Sequence, residues 1–195
     1  MKFIVFGDSI CCGQFVSPHL IWVNQLSAFL HNRIPNFWLN NPSISGNTTR
    51  MALERMPFDV QAHGIDVFYT QFGMNDCNFW NTDQGLSRVS KSAFKQNLVE
   101  VIERARNFGA TKVFIGTNHP TPKITNFDGL DFSYQDSNKI YNNLIREVAI
   151  ESDAILVDHE SAWNEQIRDI EDLKRHLLKD QIHLSVSGHK LYFDL

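Results

Sequence analysis

Short apolar runs alternate with longer stretches of helical period from one end of the chain to the other. Five runs read as strands: residues 2–6, 37–40, 66–72, 112–117 and 154–158. They are bounded by polar or turn-forming residues and are too short for helices. Between them the period lengthens, which predicts helices over 18–32, 48–56, 91–108 and 134–151, with two more near 167–178 and 185–193. In 91–108, Phe94, Leu98, Val101, Ile102 and Ala105 fall on one face at i, i+3 and i+4 spacings. Gly109 suits the left-handed residue that closes such a helix.

Strands that alternate with helices imply a parallel sheet covered on both faces. The expected class is α/β, a flavodoxin-like three-layer α/β/α sandwich of about five parallel strands. No repeat, linker or low-complexity run interrupts the chain, so residues 1–195 are read as a single domain. Ligands of such sheets bind beyond the carboxyl ends of the strands. Residues 7–9, 73–76 and 118–119 each follow a strand directly, and they converge on that edge.

Composition narrows the chemistry. At 195 residues the chain can bury a substantial core without disulfides or a structural metal. Its formal charge is −4 and no dense Lys/Arg cluster occurs, which counts against a nucleic-acid partner. No apolar stretch has the length of a membrane span, and the opening Met-Lys-Phe-Ile-Val-Phe is too short for a signal-peptide core. A cytoplasmic location is therefore expected. Cys11, Cys12 and Cys77 form no Cys-x-x-Cys pair and read as reduced, packed thiols.

The run "IVFGDSICCG" at 4–13 ends its strand on Gly7-Asp8-Ser9. These are ordinary turn formers, yet they also suit a serine nucleophile held at a strand end. A phosphate loop is excluded, because the Walker spacing and its lysine are missing. The elbow of α/β-hydrolases needs glycine two residues after the serine, and Cys11 stands there. His176, His183 and His189 are too widely spaced for a compact zinc motif, so no metal is expected. Asp158-His159-Glu160 reads as a polar loop after the last strand. Asp180 and His183, at i and i+3, would share a face if they lay on one helical turn. The carboxylate would then fix the imidazole tautomer and leave the other nitrogen free to act as a base. Alone, that pair is a weak signal.

Four blocks read together say more. Gly-Asp-Ser at 7–9, "SISGNTT" at 43–49, "GMND" at 73–76 and "DQIHLSVSGH" at 180–189 resemble, in order, the four blocks of the SGNH or GDSL hydrolase superfamily. The resemblance spans the whole chain. It implies Ser9 as nucleophile, His183 as general base and Asp180 as its orienting carboxylate. It also implies an oxyanion hole built from the backbone N–H of Ser9 and of Gly46 and the side-chain amide of Asn75. Such donors suit the negative oxygen of a tetrahedral intermediate. Asp8 and Asp76 read as hydrogen-bonding scaffold. Ile10 replaces the leucine of the family name, and Cys11 and Cys12 stand where small or polar residues are common.

The activity so implied is serine-dependent hydrolysis of carboxylic esters without a cofactor. The favoured substrates are short acyl groups, acetyl above all, on a carbohydrate or small metabolite. Lysophospholipase, thioesterase and acyltransferase activities belong to the same superfamily, and a catalytically silent carbohydrate-binding module is the alternative of another class. His119 reads as a residue that orders the loop before Pro120. Phe79 and Trp80 read equally as a sugar-stacking wall or as core. The irregular stretch 120–133 reads as a cleft rim or lid.

Overall fold

The structure, a computed structural model, describes residues 1–83 and 85–195. Five strands form one sheet in the order β2-β1-β3-β4-β5, all parallel. They are β1 (Lys2–Gly7), β2 (Trp38–Asn40), β3 (Val67–Gln71), β4 (Lys112–Gly116) and β5 (Ile155–Val157). Each lies within a residue or two of its expected place, and the class is the expected flavodoxin-like one.

Two cores explain why the central strands β1, β3 and β4 are apolar on both sides. One face carries Ile4, Phe6, Phe68 and Ile115 and packs on α3 (Thr49–Asp59), α4 (Lys91–Asn107) and α5 (Tyr134–Glu151). The other carries Phe3, Val5 and Tyr69. It is covered by α1 (Ser9–Cys12), α2 (Trp22–His31), α6 (His159–Gln166), α7 (Ile170–Arg175) and α8 (Val186–Asp194). Neighbouring side chains on a strand point to opposite faces, so a sheet buried twice reads as an unbroken apolar run. The stripe read from α4 is buried in full: Phe94, Leu98, Val101, Ile102 and Ala105 are inaccessible.

Two helical expectations and one loop are corrected. The helix expected over 18–32 breaks at Ile21, which is extended (φ −73°, ψ 135°). Its side chain is pressed against Gly13, where even a Cβ would lie 2.3 Å from Ile21. Asp169 caps α7 with its carboxylate on the N–H groups of Glu171 and Asp172, so the helix expected over 167–178 is short. The stretch Asp158-His159-Glu160 is not a loop. Asp158 caps α6, which burial of Trp163 holds against the sheet. With one large apolar residue in eight, α6 carries no stripe to announce it. Among the described residues, no helix is long and apolar enough to cross a membrane.

Candidate active site

The carboxyl ends of β1 and β3 deliver the first and third blocks of polar residues. β1 runs straight into α1 through Asp8, whose Oδ1 accepts from the Ile10 N–H at 2.9 Å and caps the helix. Ser9 is thereby the first helical residue, 6% exposed. Position 7 admits only glycine, because a Cβ there would lie 2.5 Å from the Cys11 sulfur and 2.7 Å from the Gln71 carbonyl oxygen. Cys11 is thus a packing residue, its thiol donating to Gln71 Oε1 at 3.5 Å. Burial pushes the Cys11 thiol well up, and it raises that of Cys12 as well.

Gly46 lies in a turn of left-handed backbone (φ +78°) with open space where a side chain would stand. Its loop is sewn to β1 by Ser43, whose hydroxyl accepts from the Gly7 N–H, and by the Ile44 N–H on the Gly7 carbonyl. Arg55 reaches back from α3 to Asn47 Oδ1 and the Pro42 carbonyl, both at 2.6 Å. Asn75 follows β3. Its Nδ2 donates to the Asn47 carbonyl at 3.1 Å and to Asp8 Oδ2 at 3.3 Å. The first three blocks therefore meet. Among the described residues, neither the Ser9 nor the Gly46 N–H has a partner within the protein.

Asp8 and Asp76 are the buried supports of this junction. Burial raises the Asp8 carboxyl to about 7, with the Asp76 charge adding to the effect against the Ile10 N–H bond. Asp76 Oδ1 accepts from both the N–H and the hydroxyl of Thr49, at 2.9 and 2.6 Å. Burial nevertheless raises its carboxyl to about 6, and among the described residues its Oδ2 has no partner. An acid whose folded pKa lies above its unfolded value keeps a proton on folding. It costs stability as pH rises from about 4 to about 6. Asp76→Asn retains the Oδ1 acceptor and removes the titration. Urea denaturation should therefore show the Asn variant gaining on wild type across that window and level above it. A difference independent of pH would contradict the assignment.

Asp180 and His183 do not share a helical turn. They lie in an irregular turn in which Gln181 adopts φ +64°. The contact forms all the same: His183 Nδ1 is 2.6 Å from Asp180 Oδ2. A carboxylate only accepts, so Nδ1 carries the proton and a neutral His183 presents Nε2 unprotonated. Asp180 Oδ1 takes the N–H groups of Ile182 and His183, each at 2.9 Å. Partial burial pushes the Asp180 carboxyl up, but the bonds from the His183 ring and these two N–H groups outweigh it and hold it low.

The turn reaches the Ser9 region through aromatic contact. Phe15, just beyond α1, stands edge-on to the His183 ring, centroids 5.5 Å apart. Among the described residues no hydrogen bond joins the Ser9 hydroxyl to His183; such bonds commonly tighten only with substrate.

His119 does more than order its own loop. It is wholly buried, with Nε2 2.8 Å from the Ile182 carbonyl and Nδ1 2.8 Å from the Tyr192 hydroxyl. A carbonyl only accepts, so Nε2–H donates to the residue preceding His183 and Nδ1 accepts from Tyr192. Burial lowers its pKa to about 3, so the ring stays neutral. No sequence signal marks this anchor. Phe79 packs against Phe127 and Phe132, whereas Trp80 is half exposed. With Asp128, Gly129 and Leu130 they wall a pocket of about 230 Å³, which is where part of the 120–133 stretch lies.

Residues 5–191 match the family model described as the GDSL-like lipase/acylhydrolase family. An arylesterase of Vibrio mimicus is 28% identical over 119 residues, 61% of this chain and 56% of that protein. Esterase TesA of Pseudomonas aeruginosa is 27% identical over 117 residues, 60% of this chain and 54% of that protein. The chain thus spans a little over half the length of these curated relatives. The crystal structure of Axe2, an acetylxylan esterase from Geobacillus stearothermophilus, superposes with a TM-score of 0.77 at 20% identity. That likeness covers 99% of this chain and 90% of the other, and it shows the shared fold.

Proposed function

The chain belongs to the GDSL-like lipase/acylhydrolase family, and from that premise we propose that it is a serine esterase working through an acyl-enzyme. The observation that carries the reading is the 2.6 Å contact of Asp180 with His183 Nδ1. It leaves Nε2 as the free base in a chain whose family block supplies Ser9. In this reading Nε2 takes the Ser9 proton as Oγ attacks the ester carbonyl. The same proton then passes to the departing alcohol. Water, deprotonated by the same nitrogen, releases the acid.

The carbonyl oxygen becomes negative in the tetrahedral intermediate. The Ser9 and Gly46 N–H groups are free to donate to it. Asn75 Nδ2 joins them by giving up the longer of its two bonds, the 3.3 Å contact with Asp8. Each such donor typically supplies ~2.7–4 kcal/mol of barrier lowering.

For substrate we propose acetyl or other short acyl esters of carbohydrates or small metabolites. The acetylxylan esterase of similar fold and the half-exposed Trp80 both favour this class. A hydrolysis panel tests it by varying acyl length against sugar, aryl and phospholipid leaving groups, with fluorophosphonate labelling alongside. Short acyl sugars should turn over fastest, and the label should attach at Ser9. Preference for long-chain phospholipid esters would overturn the substrate class, and an unlabelled Ser9 would point to a silent binding module.

A further inference from the structure

We propose that Arg88 is a positioning residue that sets the face of the Asn75 amide and ties it to the Gly46 loop. The proposal rests on reading Gly46 and Asn75 as oxyanion donors. Arg88 lies thirteen residues beyond Asn75 in no recognised block, yet its backbone is laid alongside that block. Its N–H donates to the Asn78 carbonyl at 3.0 Å, and the Val89 N–H donates to that of Asp76 at 3.1 Å. Phe79 and Ser87 form an antiparallel bridge at the far end. Val89 is buried, and the Tyr141 hydroxyl bonds both Ser87 Oγ and the Val89 carbonyl. The segment is anchored on both sides of Arg88.

The half-buried guanidinium spans the two loops. One terminal nitrogen lies 3.4 Å from both the Gly46 carbonyl and Asn75 Oδ1, and the other is also 3.4 Å from the Gly46 carbonyl. The Trp80 ring covers one face, 4.3 Å from the guanidinium carbon, and so limits its rotation.

The chemistry of these partners decides which way the amide points. Arginine only donates, so the Asn75 atom facing it must be oxygen. The Asn47 carbonyl only accepts, so the atom on the other side must be nitrogen. A turned amide would aim an acceptor at the developing negative charge and repel it. Arg88 and the Asn47 carbonyl therefore select the productive face together, and Arg88 ties the amide to the Gly46 loop, which fixes the spacing of two donors that come from different loops.

The test compares wild type, Ser9→Ala, Arg88→Ala and Arg88→Lys on p-nitrophenyl acetate, with circular dichroism to confirm folding. Arg88→Ala should lower kcat about 10- to 100-fold while KM moves less than about threefold, as expected when reacting groups are slightly misplaced. Free guanidinium at millimolar concentration should restore part of that kcat, and ammonium should not. Arg88→Lys keeps the charge but lacks the planar fork, so its kcat should fall between the two. Should the Ala variant not fold, the Lys variant carries the test.

A kcat within about twofold of wild type in either folded variant overturns the proposal. So does a loss that guanidinium leaves unchanged and that appears equally in KM. Failure of the esterase reading itself would show elsewhere, in a Ser9→Ala protein that still turns over or in a wild type that fluorophosphonate does not label.

Discussion

Ser9→Ala is expected to leave a folded protein whose kcat on p-nitrophenyl acetate is lower by roughly 10⁵- to 10⁶-fold. Alanine suits the site sterically. Ser9 holds α1 through its backbone carbonyl, which accepts from the Gly13 and Gln14 N–H groups, and its hydroxyl bonds nothing described. Stability should therefore change little, whereas the acyl-enzyme has no atom on which to form. The small residual rate would come from the oxyanion donors and substrate binding. Thermal unfolding and steady-state kinetics on the same preparation separate the two effects. Wild-type turnover in pure Ser9→Ala protein would falsify the nucleophile assignment outright.

Asp180→Asn is the second large effect, about 10³- to 10⁴-fold in kcat. The substitution is nearly isosteric, and the Asn Oδ1 can still accept the Ile182 and His183 N–H groups that shape the turn. What changes is the atom facing the imidazole. An amide nitrogen donates where the carboxylate accepted, so His183 must present an unprotonated Nδ1 and move its proton to Nε2. That tautomer cannot take a proton from Ser9. The expected signature is a normal unfolding transition with a collapsed kcat. A folded Asn variant within about tenfold of wild type would show that Asp180 does not set the tautomer.

Much of this is legible in the sequence, for a local reason. Strand and helix positions follow from which side chains the chain must bury, and that periodicity lies within a few neighbouring residues. The stripe of α4 and the run of β1 follow from that alone. The blocks around Ser9, Gly46, Asn75 and His183 were legible because they are short segments in recognisable order.

What escaped the sequence depends on contacts between distant residues. Ile21 ends a helical pattern because it meets Gly13, and α6 exists because Trp163 finds a core. The i, i+3 spacing of Asp180 and His183 would allow their contact on a helical turn, and it forms in an irregular one. That turn is held in part by His119, 63 positions from the Ile182 carbonyl it bonds.

Taken alone, the sequence determined the alternating α/β order, the parallel sheet and the residue types that reach its carboxyl edge. Only the tertiary structure decided which groups face one another there. The tautomers of His183 and His119 and the face of the Asn75 amide each follow from a partner that can only donate or only accept. Arg88 meets the Gly46 carbonyl across 42 positions, a separation over which hydrophobic period carries no information. Hydrogen-bond direction is a property of pairs, and the fold makes the pairs.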